Sequence, residues 1–250
     1  MSLAGDLDYA HARLCARFGQ RPDELAWRSI EPIRSLPALL DAAQRLPFRA
    51  WIQGITPASS PHEIEAALVA RRRALVAEVA HWMPEPWQPA VEWAGIAADL
   101  PVLEHLSRGG EPLPWMREDS LYKTLCSDAS RAPSRQPFLP LAGGWKRPDG
   151  LLPAWREEWA RRLPGAANGG AMLAALGRTL ASQRVDPQAV AEEAAVRRNE
   201  LSARLVLLFR RAGSDAAAAF VFLALCALDL ERLRGELLRR AVFPTFGLAT

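Results

Sequence analysis

Leu201, Leu205, Leu208 and Ala212 recur at the spacing of one apolar helix face. The same period groups Leu36, Leu39, Leu40 and Ala43, and again Ile64, Leu68, Leu75, Val79 and Trp82. Start and stop signals bracket these stripes. Ser60-Pro61-His62-Glu63 has the form of a capping box and opens a helix predicted to run to about Met83, where Pro84, Pro86 and Pro89 break it. Asp6 to Phe18 reads as a first helix, ended by Gly19, and Pro22 with its neighbouring acids starts a second. Ser35-Leu36-Pro37 caps a third. Shorter helices are predicted over 87–97, 100–106 and 172–183, and Asp186-Pro187 caps the long helix that carries the Leu201 stripe. Alternating runs of β-branched residues are missing, so the fold expected is all-α.

The last forty residues repeat this grammar with a change of character. Gly213-Ser214-Asp215 ends one helix and starts the next. An apolar run from Ala216 to Leu228 reads as a buried helix broken at Asp229. Leu230 to Phe243 then reads as an amphipathic helix edged by Arg232, Arg234, Arg239 and Arg240 and closed by Pro244. The apolar run has 13 residues. A membrane span needs about 20, so this is expected to be a core helix. A short echo, a capping residue followed by Leu-x-x-Leu, occurs at Ser35, Asp99 and Asp229.

Between Gly109 and Pro153 the prolines at 112, 114, 133, 137, 140 and 148 leave room for helix only around Asp119 to Cys126. An irregular segment of that length is uncommon inside a compact domain. Three organisations fit it: a lobe boundary, an ordered wrap pinned by Trp115 and Trp145, or a partly mobile strip. The expected layout is an N-terminal helical lobe (1–108), this connecting stretch (109–153) and a C-terminal helical lobe (154–250), together one compact unit.

Composition narrows the function. Half of the 250 residues are hydrophobic, enough for a sizeable core. The net charge is +3, split as −2 over the first 110 residues and +5 over the remainder. That asymmetry is milder than a nucleic-acid binder shows. Cys15, Cys126 and Cys226 form no CxxC pair, and Cys226 lies in the apolar run, which fits a reducing cytoplasm. Met1 to Asp6 has neither the basic nor the apolar region of a signal peptide, so none is expected.

The chemistry-bearing motifs are few. The chain contains no P-loop, no GxGxxG after a strand and no GxSxG elbow. Asp8, His11 and Cys15 share one face of the first helix, but a structural zinc site needs a fourth ligand, and none is near in sequence. His62-Glu63 lacks the second histidine of HExxH, since position 66 is Ala66. Glu157-Glu158 and Glu192-Glu193 read as solvated or locally paired acids, with Glu193 and Arg197 as one such pair. The nine tryptophans read as core and loop anchors, or else as an aromatic partner surface, and Trp155 and Trp159 share a face. Arginine clusters at 71–73, 161–162, 197–198, 210–211 and 239–240 read as solvated edges, or else as edges converging on an acidic partner. No catalytic residue, metal ligand or cofactor site is expected.

Tyr9-Ala10-His11-Ala12-Arg13, with Arg17 and Gly19 after it, resembles the opening of the C/d subunit family of V-type rotary ATPases. Ser35-Leu36-Pro37-Ala38-Leu39-Leu40 matches the short leucine-rich helix that follows there. Asp99-Leu100-x-x-Leu103 is similar to that family's repeated helix start. Ala219 to Phe243 resembles its closing segment, Leu233-Arg234 matching a Leu-Arg pair, with Arg232 where the pattern has asparagine. The resemblance covers about 1–106 and 185–243. It implies a funnel-like, pseudo-symmetric array of helical pairs without catalytic activity. One face of such a funnel receives the tip of a rotor stalk and the other rests on a membrane proteolipid ring. That implies a protein partner, and a cytoplasmic place peripheral to the inner face of a membrane.

The function expected is therefore a non-catalytic helical adaptor that docks a protein partner, with Arg232, Arg234, Arg239 and Arg240 as the contact edge. Two alternatives stand beside it. One is an α-helical enzyme with a pocket of dispersed residues such as Asp8, His11, Glu157 and Arg161. The other is a basic module that binds an acidic surface.

Overall fold

The computed structural model describes residues 3–127, 132–165, 170–181 and 191–243. The fold is all-α, and among the described residues there is no strand. In chain order the helices are α1 (Leu3–Phe18), α2 (Glu24–Ile30), α3 (Leu36–Gln44), α4 (Pro61–Trp82), α5 (Gln88–Gly95), α6 (Leu100–Ser107), α7 (Pro114–Glu118), α8 (Lys123–Ser127), α9 (Leu152–Arg162), α10 (Gly170–Ala181), α11 (Ala191–Ala212) and α12 (Ala217–Val242). The predicted capping box is present: Ser60 N donates to Glu63 Oε2 at 2.7 Å and Glu63 N to Ser60 Oγ at 3.3 Å. The expected Asp186-Pro187 cap lies outside the described residues.

Two long helices, α4 and α12, pack on each other and form the spine. Three apolar cores are arranged around it. The first joins α1, the end of α4, α5, α10, α11 and residues 216–226 of α12. The second joins α2, α3, the segment through Phe48 and Ile55, the start of α4 and Leu230, Leu233 and Leu237. The third joins Val69 of α4 to α5–α9. Because α4 faces a different core at each level, its apolar positions do not keep to one stripe.

The break expected at Asp229 is absent, and α12 is one continuous helix of 26 residues. Nothing in the sequence there stops a helix, since aspartate is tolerated in an interior and proline is lacking. What changes at Asp229 is the core the helix faces. Residues 216–222 are buried on every side, whereas from Leu225 onward burial follows the helical period. The true turn is at Gly213, whose φ of 52° lies in the left-handed region glycine tolerates. Asp215 then caps α12, accepting from Ala217 N at 2.8 Å.

The described part of the proline-rich stretch is an ordered wrap. Trp115, Met116, Tyr122, Leu125, Phe138, Leu141 and Trp145 are all buried in the third core. Its helices α7 and α8 are one turn each, and the helix expected from Asp119 begins only at Lys123. Pro114 starts α7 instead of extending it. On the opposite side of the same core, α5 and α9 are locked by a reciprocal pair. Trp93 Nε1 donates to Trp155 O at 3.0 Å, and Trp155 Nε1 donates to Trp93 O at 3.1 Å. Gly95 permits close contact of α5 with α4, for a Cβ there would sit 2.8 Å from Val76 Cγ1.

Candidate functional site

The seam between the first and second cores carries charge on both spine helices. Asp229 of α12 is buried there, and Arg71, Arg72 and Arg73 stand on α4. These three arginines are not the solvated edge expected from sequence. Adjacent helical positions fan by about 100°, and here the fan sends them to different partners. Arg72 and Arg73 turn to the third core, where Asp99 is 1 % exposed. Arg72 pairs with Asp99. Tyr122 Oη donates to Asp99 at 2.5 Å, and Arg73 Nη1 lies 2.6 Å from Asp119 Oδ2. Burial, with the Asp99 carboxylate beside it, pushes the Tyr122 phenol well above its ordinary range.

Arg71 turns the other way, into a cavity of about 540 Å³. The end of α1, the turn after it, the segment 46–53, α4 and α12 enclose this space. Four arginines line it: Arg17, Arg21, Arg49 and Arg71. Arg17 pairs with Glu78, and Arg21 Nη2 lies 2.6 Å from Asp229 Oδ2. Arg49 and Arg71 make no ion pair among the described residues, so the cavity keeps an excess of two positive charges. Trp51, Phe222 and Leu230 supply apolar wall beside them.

Burial pushes the Asp229 carboxyl up to about 6, against the opposing pull of the Arg21 guanidinium. Burial likewise pushes the Cys226 thiol well up, which makes it a poor nucleophile although it lines the cavity. The groups assembled here are suited to holding negative charge. Arginine forks are fitted to bidentate binding of carboxylate or phosphate.

The four arginines expected to form a contact edge do not share one fate. Arg240 is removed from the surface, its side chain being 2 % exposed. It caps the end of α2: Nε donates to Ile33 O at 2.6 Å, and Nη2 to Ile30 O and Glu31 O at 3.1 Å each. Arg232 lies over the Trp27 ring at 4.4 Å and bridges Glu24 and Glu31. Arg234 pairs with Glu65 and Glu231. Arg239 is exposed and pairs with Glu236 at 2.7 Å. A sequence pattern marks all four as polar positions of α12 but cannot tell that α2 ends opposite one of them.

The dispersed set Asp8, His11, Glu157 and Arg161 is not joined by hydrogen bonds or ion pairs among the described residues. His11 Nε2 instead lies 3.4 Å from Cys15 Sγ, and Arg161 binds Glu158. Glu158 is buried and locally paired, the second of the two readings given to it, for Arg162 Nε also reaches it at 2.6 Å. Glu193 and Arg197 do pair, at 3.8 Å. Among the described residues no group of three or more His, Cys, Asp and Glu side chains could hold a metal ion. No described helix is long and apolar enough to cross a membrane. Sequence reading missed Arg49, because it stands in a turn-rich segment without a period. No family model matches the chain, and neither a curated protein nor a solved structure matches it at a significant level.

Proposed function

We propose that the chain is a non-catalytic helical coupler of the kind represented by the C/d subunits of V-type rotary ATPases, and that it works by docking an acidic element of a partner protein. The observation that carries this reading is the basic cavity, where Arg49 and Arg71 are left without acids while Arg17 and Arg21 are neutralised. A partner's carboxylates would complete the set, as charge complementarity requires. The resemblance of Tyr9–Arg13 and of Ala219–Phe243 to that family supplies the partner's identity, a rotor stalk. The second of these segments lines the cavity through Phe222, Cys226 and Leu230, and the first lies on α1 one turn before Arg17, which lines it.

The test is the affinity of the purified chain for the rotor stalk of the same cell. Arg49→Glu with Arg71→Glu should weaken binding by about tenfold or more, and the wild-type affinity should fall as salt is added. Unchanged affinity in the double variant would refute the docking role of this cavity.

A further inference from the structure

We infer that a second, apolar cavity binds one long-chain anionic amphiphile, in its simplest form a fatty carboxylate. This cavity has a volume of about 700 Å³ and lies between α4, α5, α9, α10 and α12. Sites for small organic ligands span roughly 300–1,000 Å³. The cavity opens to solvent at a rim where Leu152, Gly177 and Leu180 are exposed. The walls are aliphatic, with the stacked rings of Trp155 and Trp159, 5.8 Å apart, on the α9 side. It meets the basic cavity only along a shared wall of Leu75, Cys226 and Leu230.

Charge selects the ligand class. Among the described residues no aspartate or glutamate lines the cavity, and its charged groups are Arg72 and Arg156. Arg72 is neutralised by Asp99. Arg156 is exposed on α9 and makes no ion pair among the described residues, so one free cation stands on the solvent side of an otherwise apolar space. A hydrocarbon chain fills such a space, and a single anionic head answers Arg156. A neutral lipid leaves that guanidinium unmatched. At the rim, Gly177 is an exposed position of α10 where an added Cβ would meet no atom within 4 Å, so a larger side chain can be placed there over the mouth.

The test uses the full chain and its own tryptophans. A dibrominated stearate, kept below its micelle concentration, is titrated while fluorescence is followed, since bromine quenches indole on contact. The expected result is saturable quenching at one equivalent. The matching dibrominated alcohol should bind about tenfold more weakly or worse, and Arg156→Glu should impose a similar loss on the acid. Gly177→Leu covers the mouth from a helical position and should weaken the quenching about tenfold while circular dichroism and unfolding midpoint stay at wild-type levels. Absent or unsaturable quenching would overturn the proposal. So would equal affinity for acid and alcohol, or wild-type binding by Gly177→Leu. A concentration-dependent dimer that Gly177→Leu dissociates would also overturn it, by making a second copy of the chain the occupant.

Discussion

Arg21 and Asp229, 208 positions apart in sequence, meet at the seam of two cores, with Arg21 Nε 2.6 Å from Asp229 Oδ2. Both side chains are about nine-tenths buried. The pair ties the turn after α1 to the middle of α12, and its Arg21 lines the basic cavity. Arg21 also lies over the Phe18 ring, 5.5 Å from its centroid.

Asp229 gives this seam a pH dependence whose sign is fixed. Its carboxyl titrates near 6 in the fold, above an ordinary value of 3.8. Below pH 3.8 the proton is present in both folded and unfolded chains. Between 3.8 and about 6 only the folded chain holds it, so this stabilisation is lost as pH rises through 6. The stability of the wild type relative to Asp229→Asn should therefore fall between pH 4 and 7, by at most about 3 kcal/mol. Urea unfolding of both proteins across that range measures it, and a flat difference would contradict the assignment.

Arg240 and Arg239 are neighbours with opposite roles. Arg240→Ala leaves the carbonyls at the end of α2 without their donor and Glu236 with Arg239 alone, and should cost on the order of 3 kcal/mol. Arg239→Ala removes an exposed pair and should stay within about 0.5 kcal/mol of wild type. Equal losses in chemical denaturation would mean that Arg240 does not hold α2 to α12.

The phenol of Tyr122 is fully buried against Asp99. In a Tyr9→Phe background, alkaline titration should show phenolate absorbance only as the chain unfolds, because burial holds this group above its ordinary range. Tyr122→Phe should lower stability by about 1–2 kcal/mol through loss of the hydrogen bond to Asp99. Ionisation of Tyr122 in chain that still shows native circular dichroism would contradict the buried contact.

The helices were readable because their signals are local. The Ser60 capping box, the Leu201 stripe and the Gly213 turn each announce an element within a few residues. The continuity of α12 was not, since Asp229 resembles a helix start until Arg21 is seen beside it. The same limit applies to the basic cavity. Arg17 and Arg71 lie on helices that sequence reading found, yet their convergence with Arg49 depends on how α1, α4 and α12 pack. Arg240 shows the cost of reading helix faces alone: its period marks the polar side, and only the end of α2 explains its burial. The proline-rich wrap was open to three readings, and its tryptophans and Tyr122 decide among them by where they pack.

The most direct measurement is purification of the native complex through a tag on this chain, followed by mass spectrometry of what remains bound. Stalk and proteolipid-ring subunits of a rotary ATPase should co-purify with the wild type and be depleted with Arg49→Glu combined with Arg71→Glu. Recovery of the wild-type chain without those subunits, or their retention at full level in the double variant, would contradict a coupler that docks through the basic cavity.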